Sequence, residues 1–172
     1  QPPSSECSIT SWKNAQNVKI DGSEFDGSMS KDGVLVINHD EHHGKMEISE
    51  TNFKDLAKEK LSNGEKYPTL KDYLKAGKKD KSVKMIVEIK PAKTEALESE
   101  LVEKTIKMIK DLKLESQCEY ISFSLHICKE IKKLAPDFKV QYLRGELSPK
   151  EIKEAGLDGM DYHFSVFKKN PT

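Results

Sequence analysis

Arginine is nearly absent from this chain of 172 residues, with Arg144 standing alone. Bidentate capture of phosphate by arginine therefore rests on one side chain. Tryptophan occurs once, at Trp12, and aromatics make up 7% of the chain. Net charge is missing too, since 29 Lys+Arg balance 29 Asp+Glu. That balance excludes a nucleic-acid or anionic-membrane binder acting through bulk charge. No apolar run reaches the roughly 18 residues that a spanning helix needs, so no transmembrane segment is expected. No basic n-region followed by an apolar h-region opens the chain, so no signal peptide is read at its start. The three cysteines, Cys7, Cys118 and Cys128, include no CxxC pair. That argues against both a disulfide framework and a zinc site. Cys118 and Cys128 flank a strand-like run and read as small core residues.

What is present is an alternation of short β-type runs with amphipathic helical runs. The β-type runs are Val18 to Phe25, Val34 to Ile37, Met85 to Ile89, Tyr120 to Phe123, Val140 to Leu143, and one starting at Met160. Between them lie helical patterns. One begins near Asn52 with Phe53, Leu56 and Leu61, and another begins at Pro68-Thr69 with Leu70, Tyr73 and Leu74. A long one carries Leu101, Ile106, Ile109 and Leu112, and a fourth runs from Leu125 to Leu134. A fifth starts at Ser148-Pro149, an N-cap followed by proline in the first turn, and ends before Gly156. Strands alternating with helices predict βαβ units and a parallel sheet. The length predicts a single domain over residues 1–172. It is short for a complete (β/α)₈ barrel, which rarely falls below about 200 residues.

In such folds the chemistry sits at the carboxyl ends of the strands. Glu24 and Asp26 close the first run and are two residues apart, so both point to one face of an extended strand. Glu88 interrupts an otherwise apolar run, and Lys90 shares its face. A carboxylate buried in a strand is costly unless it is paired or bound to a metal. If the three carboxylates converge, they make an oxygen-rich site suited to Ca²⁺ or Mg²⁺. The alternative is a Glu88–Lys90 ion pair with Glu24 and Asp26 exposed. His39, between Asn38 and Asp40, is a candidate general acid or base or, more plainly, a loop histidine. His42 and His43 lie close by without the fixed geometry of a transition-metal site. Tyr142 and Tyr162 fall near strand ends, where filling the barrel is preferred over lining a pocket.

Taken in order, these segments resemble the glycerophosphodiester phosphodiesterase family. The resemblance rests on Gly22-Ser23-Glu24-Phe25-Asp26, on Ser30 through Asp40 (the family's "kDGvlVv.HD"), and on Val87-Glu88-Ile89-Lys90-Pro91. It is extended by Tyr67-Pro68-Thr69-Leu70, Ile121-Ser122-Phe123-Ser124 and Leu134-Ala135-Pro136. It implies a (β/α)₈ barrel that hydrolyses glycerophosphodiesters to an alcohol and glycerol 3-phosphate with a divalent cation. By motif match, Glu24, Asp26 and Glu88 are the metal carboxylates, and His39 is the second of two catalytic histidines. Lys90 matches a lysine near the phosphate. Phe123, at a strand end, is a candidate substrate contact or a core residue. The implied partner is a small phosphodiester, with no nucleic acid. The sequence does not fix the compartment; many relatives act outside the cytoplasm, so the resemblance leaves the periplasm or the extracellular space open.

The chain also departs from the pattern. It begins beyond the family's "aHRG" strand, which supplies the first histidine and an arginine, and Cys7 stands where asparagine is usual. The last two βα units have no counterpart. The expected fold is therefore a partial TIM-type (β/α)₈ barrel, roughly strands two to six. Five strands leave open edges, so self-association and low activity are expected. The competing reading is a non-catalytic barrel fragment or binding module.

Overall fold

The computed structural model describes Ser8, Ile9 and residues 22–160. Trp12, Cys7, Tyr162 and the start of the first predicted strand lie outside the described residues. The strands are β1 (Gly22–Met29), β2 (Leu35–Ile37), β3 (His42–His43), β4 (Met46–Glu47), β5 (Lys84–Ile89), β6 (Cys118–Ser122), β7 (Val140–Tyr142) and β8 (Gly159–Met160). The helices are α1 (Phe53–Leu56), α2 (Leu70–Gly77), α3 (Glu95–Asp111), α4 (Leu125–Leu134) and α5 (Pro149–Glu154).

Six strands form one sheet in the order β2-β1-β5-β6-β7-β8. β1, β5, β6, β7 and β8 are parallel neighbours, with helices in the connections between them. This is an arc of a (β/α)₈ barrel, and it matches the expectation of strands two to six. The helix starts are written in the sequence. Thr69, Thr94, Ser124 and Ser148 each accept a backbone N–H as N-caps, and Ser148 completes a capping box with Glu151.

Two expectations need correction. Val34 to Ile37 is not a parallel barrel strand, because β2 runs antiparallel to β1. The turn Ser30–Val34 is too short for a crossover, and Gly33 makes it possible by adopting φ +79°. The helix expected from Asn52 through Leu61 shrinks to the single turn α1. Helical geometry stops at the C-cap Ala57, and the chain later turns through Ser62-Asn63-Gly64, where Gly64 takes φ +82°.

Strand alternation sorts the side chains into two faces. Phe25, Met85, Val87, Ile89, Cys118, Tyr120, Val140 and Tyr142 pack with Leu101, Val102, Ile106, Ile109, Ile127 and Ile131 of the helices. Each fully buried aliphatic or aromatic side chain there contributes about 1.5–3 kcal/mol. Tyr142 thus belongs to the helix-side core rather than to the barrel interior, and it donates to Glu146 at 3.2 Å. Burial pushes the Cys118 and Cys128 thiols up to about 12, as expected of inert core residues.

Between β1 and α2 the chain makes an excursion over residues 30–69. It has a small core of its own, built from Val36, Ile48, Leu56 and Tyr67. Asp32 fastens it by accepting the Phe53 N–H at 2.8 Å and the Ser30 hydroxyl at 2.7 Å.

Candidate active site

The face of the sheet opposite the helix-side core carries the acidic residues. Glu24 and Asp26 lie on β1 and Glu88 on β5, and Asp26 stands directly opposite Glu88 in the parallel register. One carboxylate oxygen from each of the three residues lies within 4.8 Å of the others. Glu24 is exposed, whereas Asp26 is 6% and Glu88 4% accessible.

Lys90 sits where β5 ends. Its backbone N–H donates to the Gly27 carbonyl at 3.1 Å, which ties it to β1. Its Nζ lies 2.8 Å from Asp26 Oδ1 and 2.9 Å from Glu88 Oε1. The carboxylates converge and the Glu88–Lys90 pair forms as well, but Asp26 is buried and shares the lysine instead of standing exposed. Burial works to lower the Lys90 pKa, but its bonds to Asp26 and Glu88 overcome that and raise it. Burial raises the Asp26 carboxyl, and Lys90 only partly offsets the shift.

Asp26 Oδ1 and Glu88 Oε1 are buried, and the Lys90 ammonium is the positive charge beside both. Two buried carboxylates beside a third, exposed one are the donor set of a hard cation. A divalent cation fits these residues, and Lys90 now supplies positive charge at the same oxygens.

His39 reaches this site through the excursion. The Asn38 N–H donates to the Asp26 carbonyl at 3.1 Å, so the histidine segment is joined to the ligand strand. The Asn38 side chain donates to the Asp40 and His42 carbonyls at 2.6 and 3.0 Å and holds the turn. Sequence reading passed over Asn38, although its place before His39-Asp40 was the available signal. His39 Nδ1 lies 3.1 Å from Asp40 Oδ1. That contact raises the His39 pKa, the charge of Asp26 adds to it, and the charge of Lys90 opposes it.

Phe123 follows β6 at its carboxyl end and is 41% accessible, so the core reading of this residue is overturned. His42 and His43 belong to the β3–β4 hairpin, where His43 stacks on Tyr67 with ring centroids 4.3 Å apart. Among the described residues, the only cluster able to hold a metal ion is Glu24, Asp26 and Glu88.

Parallel βα units with carboxylates gathered at the strand ends define a barrel protein whose reactive groups occupy the mouth of the sheet. The chain belongs to the glycerophosphoryl diester phosphodiesterase family, whose sequence profile matches residues 1–165. It is 30% identical over 151 residues to a glycerophosphodiester phosphodiesterase of Caldanaerobacter subterraneus subsp. tengcongensis, covering 80% of this chain. The chain spans 60% of the length of that curated relative. It is also similar to the crystal structure of a glycerophosphodiester phosphodiesterase from Parabacteroides distasonis. There the TM-score is 0.96 at 40% identity, over 99% of this chain and 72% of that one. A phosphodiesterase from Oleispira antarctica, solved with the product sn-glycerol-3-phosphate, shares the fold. Its TM-score is 0.78 at 21% identity, over 92% of this chain and 70% of that one.

Proposed function

We propose that this site hydrolyses glycerophosphodiesters to an alcohol and glycerol 3-phosphate, using Ca²⁺ or Mg²⁺ held by Glu24, Asp26 and Glu88. The observation that carries the reading is the convergence of those three carboxylates beside Lys90. The product bound by the Oleispira antarctica relative supports the substrate class. A cation held there supplies positive charge to the phosphodiester, whose own negative charge repels nucleophiles.

The protein groups then take separate roles. Lys90 leaves its pairing with the carboxylates and donates from Nζ to a phosphate oxygen. His39, whose pKa Asp40 raises, gives a proton to the leaving alkoxide oxygen as the P–O bond breaks. Water forms the new P–O bond, and the proton it loses passes to solvent, from which His39 is reprotonated, so one ester is lost and one alcohol released. Phe123 offers an exposed apolar face to the glycerol carbons. A periplasmic or extracellular site of action is part of the proposal, and fractionation of the source organism would check it.

The test is release of glycerol 3-phosphate from glycerophosphocholine and glycerophosphoethanolamine, with chelator and with added Ca²⁺ or Mg²⁺. We expect turnover only with the cation, lost in Glu88→Ala and strongly reduced in His39→Ala. Turnover that persists in chelator and in Glu88→Ala would refute the proposal.

A further inference from the structure

Three polar side chains that sequence reasoning passed over form a circuit around Lys90. The Ser122 hydroxyl, fully buried, donates to the carbonyl of Ile89 at 2.7 Å. Ile89 is the residue immediately before Lys90. Ser122 Oγ also accepts the N–H of Ser124 at 3.1 Å. The Ser124 hydroxyl donates to Glu98 Oε2 at 2.8 Å, and Glu98 Oε1 accepts the N–H of Ala92 at 3.2 Å. The chain of bonds leaves the backbone just before Lys90, passes through the end of β6 and the start of α4, and returns two residues after it.

Glu98 is the unexpected member. It is 6% accessible and sits on the buried face of α3 with Leu101, Val102 and Thr105, where an apolar residue would be ordinary. A buried carboxylate is costly unless its oxygens are satisfied. Here each oxygen meets one donor, and the donors come from the loops that follow β5 and β6. Both loops carry residues of the proposed site, Lys90 on one and Phe123 on the other. A carboxylate suits this place because it offers two acceptors and no donor. Glutamine keeps one acceptor, and methionine fills the space with none.

We infer that Glu98, acting through Ser124 and Ser122, is a positioning residue that fixes the Lys90-Pro91-Ala92 turn and so aims the Lys90 ammonium. Lys90 is held from the other side by its N–H bond to Gly27. Without the circuit, the turn keeps its sequence but loses its fixed relation to Asp26 and Glu88. This inference rests on the phosphodiesterase reading only for its kinetic consequence. The structural consequence can be read without any substrate.

The experiment combines amide exchange with a double-mutant cycle on the full chain. In Glu98→Met the Ala92 amide should exchange at least about ten-fold faster, whereas Lys90→Met should leave it protected. A misplaced catalytic group costs about 10–100-fold, so Glu98→Met should lower kcat/KM for glycerophosphocholine by that factor, with Glu98→Gln falling in between. On the Lys90→Met background Glu98→Met should cost little more, because its effect runs through Lys90. A fully additive loss, or unchanged Ala92 protection in Glu98→Met, overturns the inference. If Glu98→Met fails to fold, Ser122→Ala cuts the circuit at Ile89 and is judged by the kinetic cycle with Lys90→Met, where a fully additive loss overturns the inference. Absence of turnover in the parent chain would defeat the functional reading instead, and the exchange data would still decide the circuit.

Discussion

Asp26 and Glu88 are register partners on adjacent parallel strands, and a single ammonium, Lys90 Nζ, stands within 2.9 Å of an oxygen of each. Two buried carboxylates in that register repel one another, and Lys90 is what makes their proximity tolerable. Removing it leaves two buried acids without a counter-charge. Lys90→Met should therefore lower stability by about 2 kcal/mol, somewhat under the usual cost of breaking a buried pair because Lys90 is partly exposed. Urea unfolding measures this. Added Ca²⁺ should restore more stability to the variant than to the parent, which must displace its own lysine first. Equal stability of the two proteins without metal would contradict this account.

Glu24 is the exposed member of the cluster, so its loss should leave the metal-free fold unchanged. Saturating Ca²⁺ or Mg²⁺, at about 100 times Kd, should stabilise the parent by about 2.7 kcal/mol. That corresponds to roughly 5–10 °C in Tm for a chain of this size. Glu24→Ala should abolish the gain in differential scanning fluorimetry while melting like the parent in chelator.

His39 has its pKa raised chiefly by Asp40, then by the charge of Asp26. An acid that must be protonated loses activity as pH rises through its pKa, so kcat should decline on an alkaline limb above pH 6.5. Asp40→Asn removes the largest cause and should move that limb to lower pH. A pH–rate profile of Asp40→Asn that superimposes on the parent's would show that the imidazole is not the acid.

Gly33 holds φ +79° in the β1–β2 turn, and a Cβ there would meet Lys104 Nζ. The lysine tip can swing away, so the backbone sets the cost. Gly33→Ala should destabilise by about 1–2 kcal/mol, read from thermal unfolding. Because the turn leads to β2 and then His39, the loss in kcat should exceed the loss in cation affinity.

Much of this site was legible because the signals were local. Glu24 and Asp26 share a face by strand period alone, and Glu88 stands out as the single acid in an apolar run. The caps at Thr69 and Ser148 mark their helices in the same way. What escaped was non-local. Nothing in the residues Leu97-Glu98-Ser99 says that Glu98 points inward, since only the loops after β5 and β6 supply its donors. The antiparallel course of β2 was hidden because Leu35, Val36 and Ile37 are apolar whichever way they pair. The helix after Asn52 was overextended because Leu61 fits helical spacing, although the chain already leaves the helix at Ala57.

The excursion over residues 30–69 has a nucleus separate from that of the sheet. Substitutions at its rim can therefore accumulate in a lineage without loosening the scaffold beneath. It is tied to the sheet through the β1–β2 ladder and the Asn38–Asp26 link, and the latter keeps the imidazole in step with the acidic strand. The rim can thus vary in sequence while the acidic strand it overlies keeps its geometry.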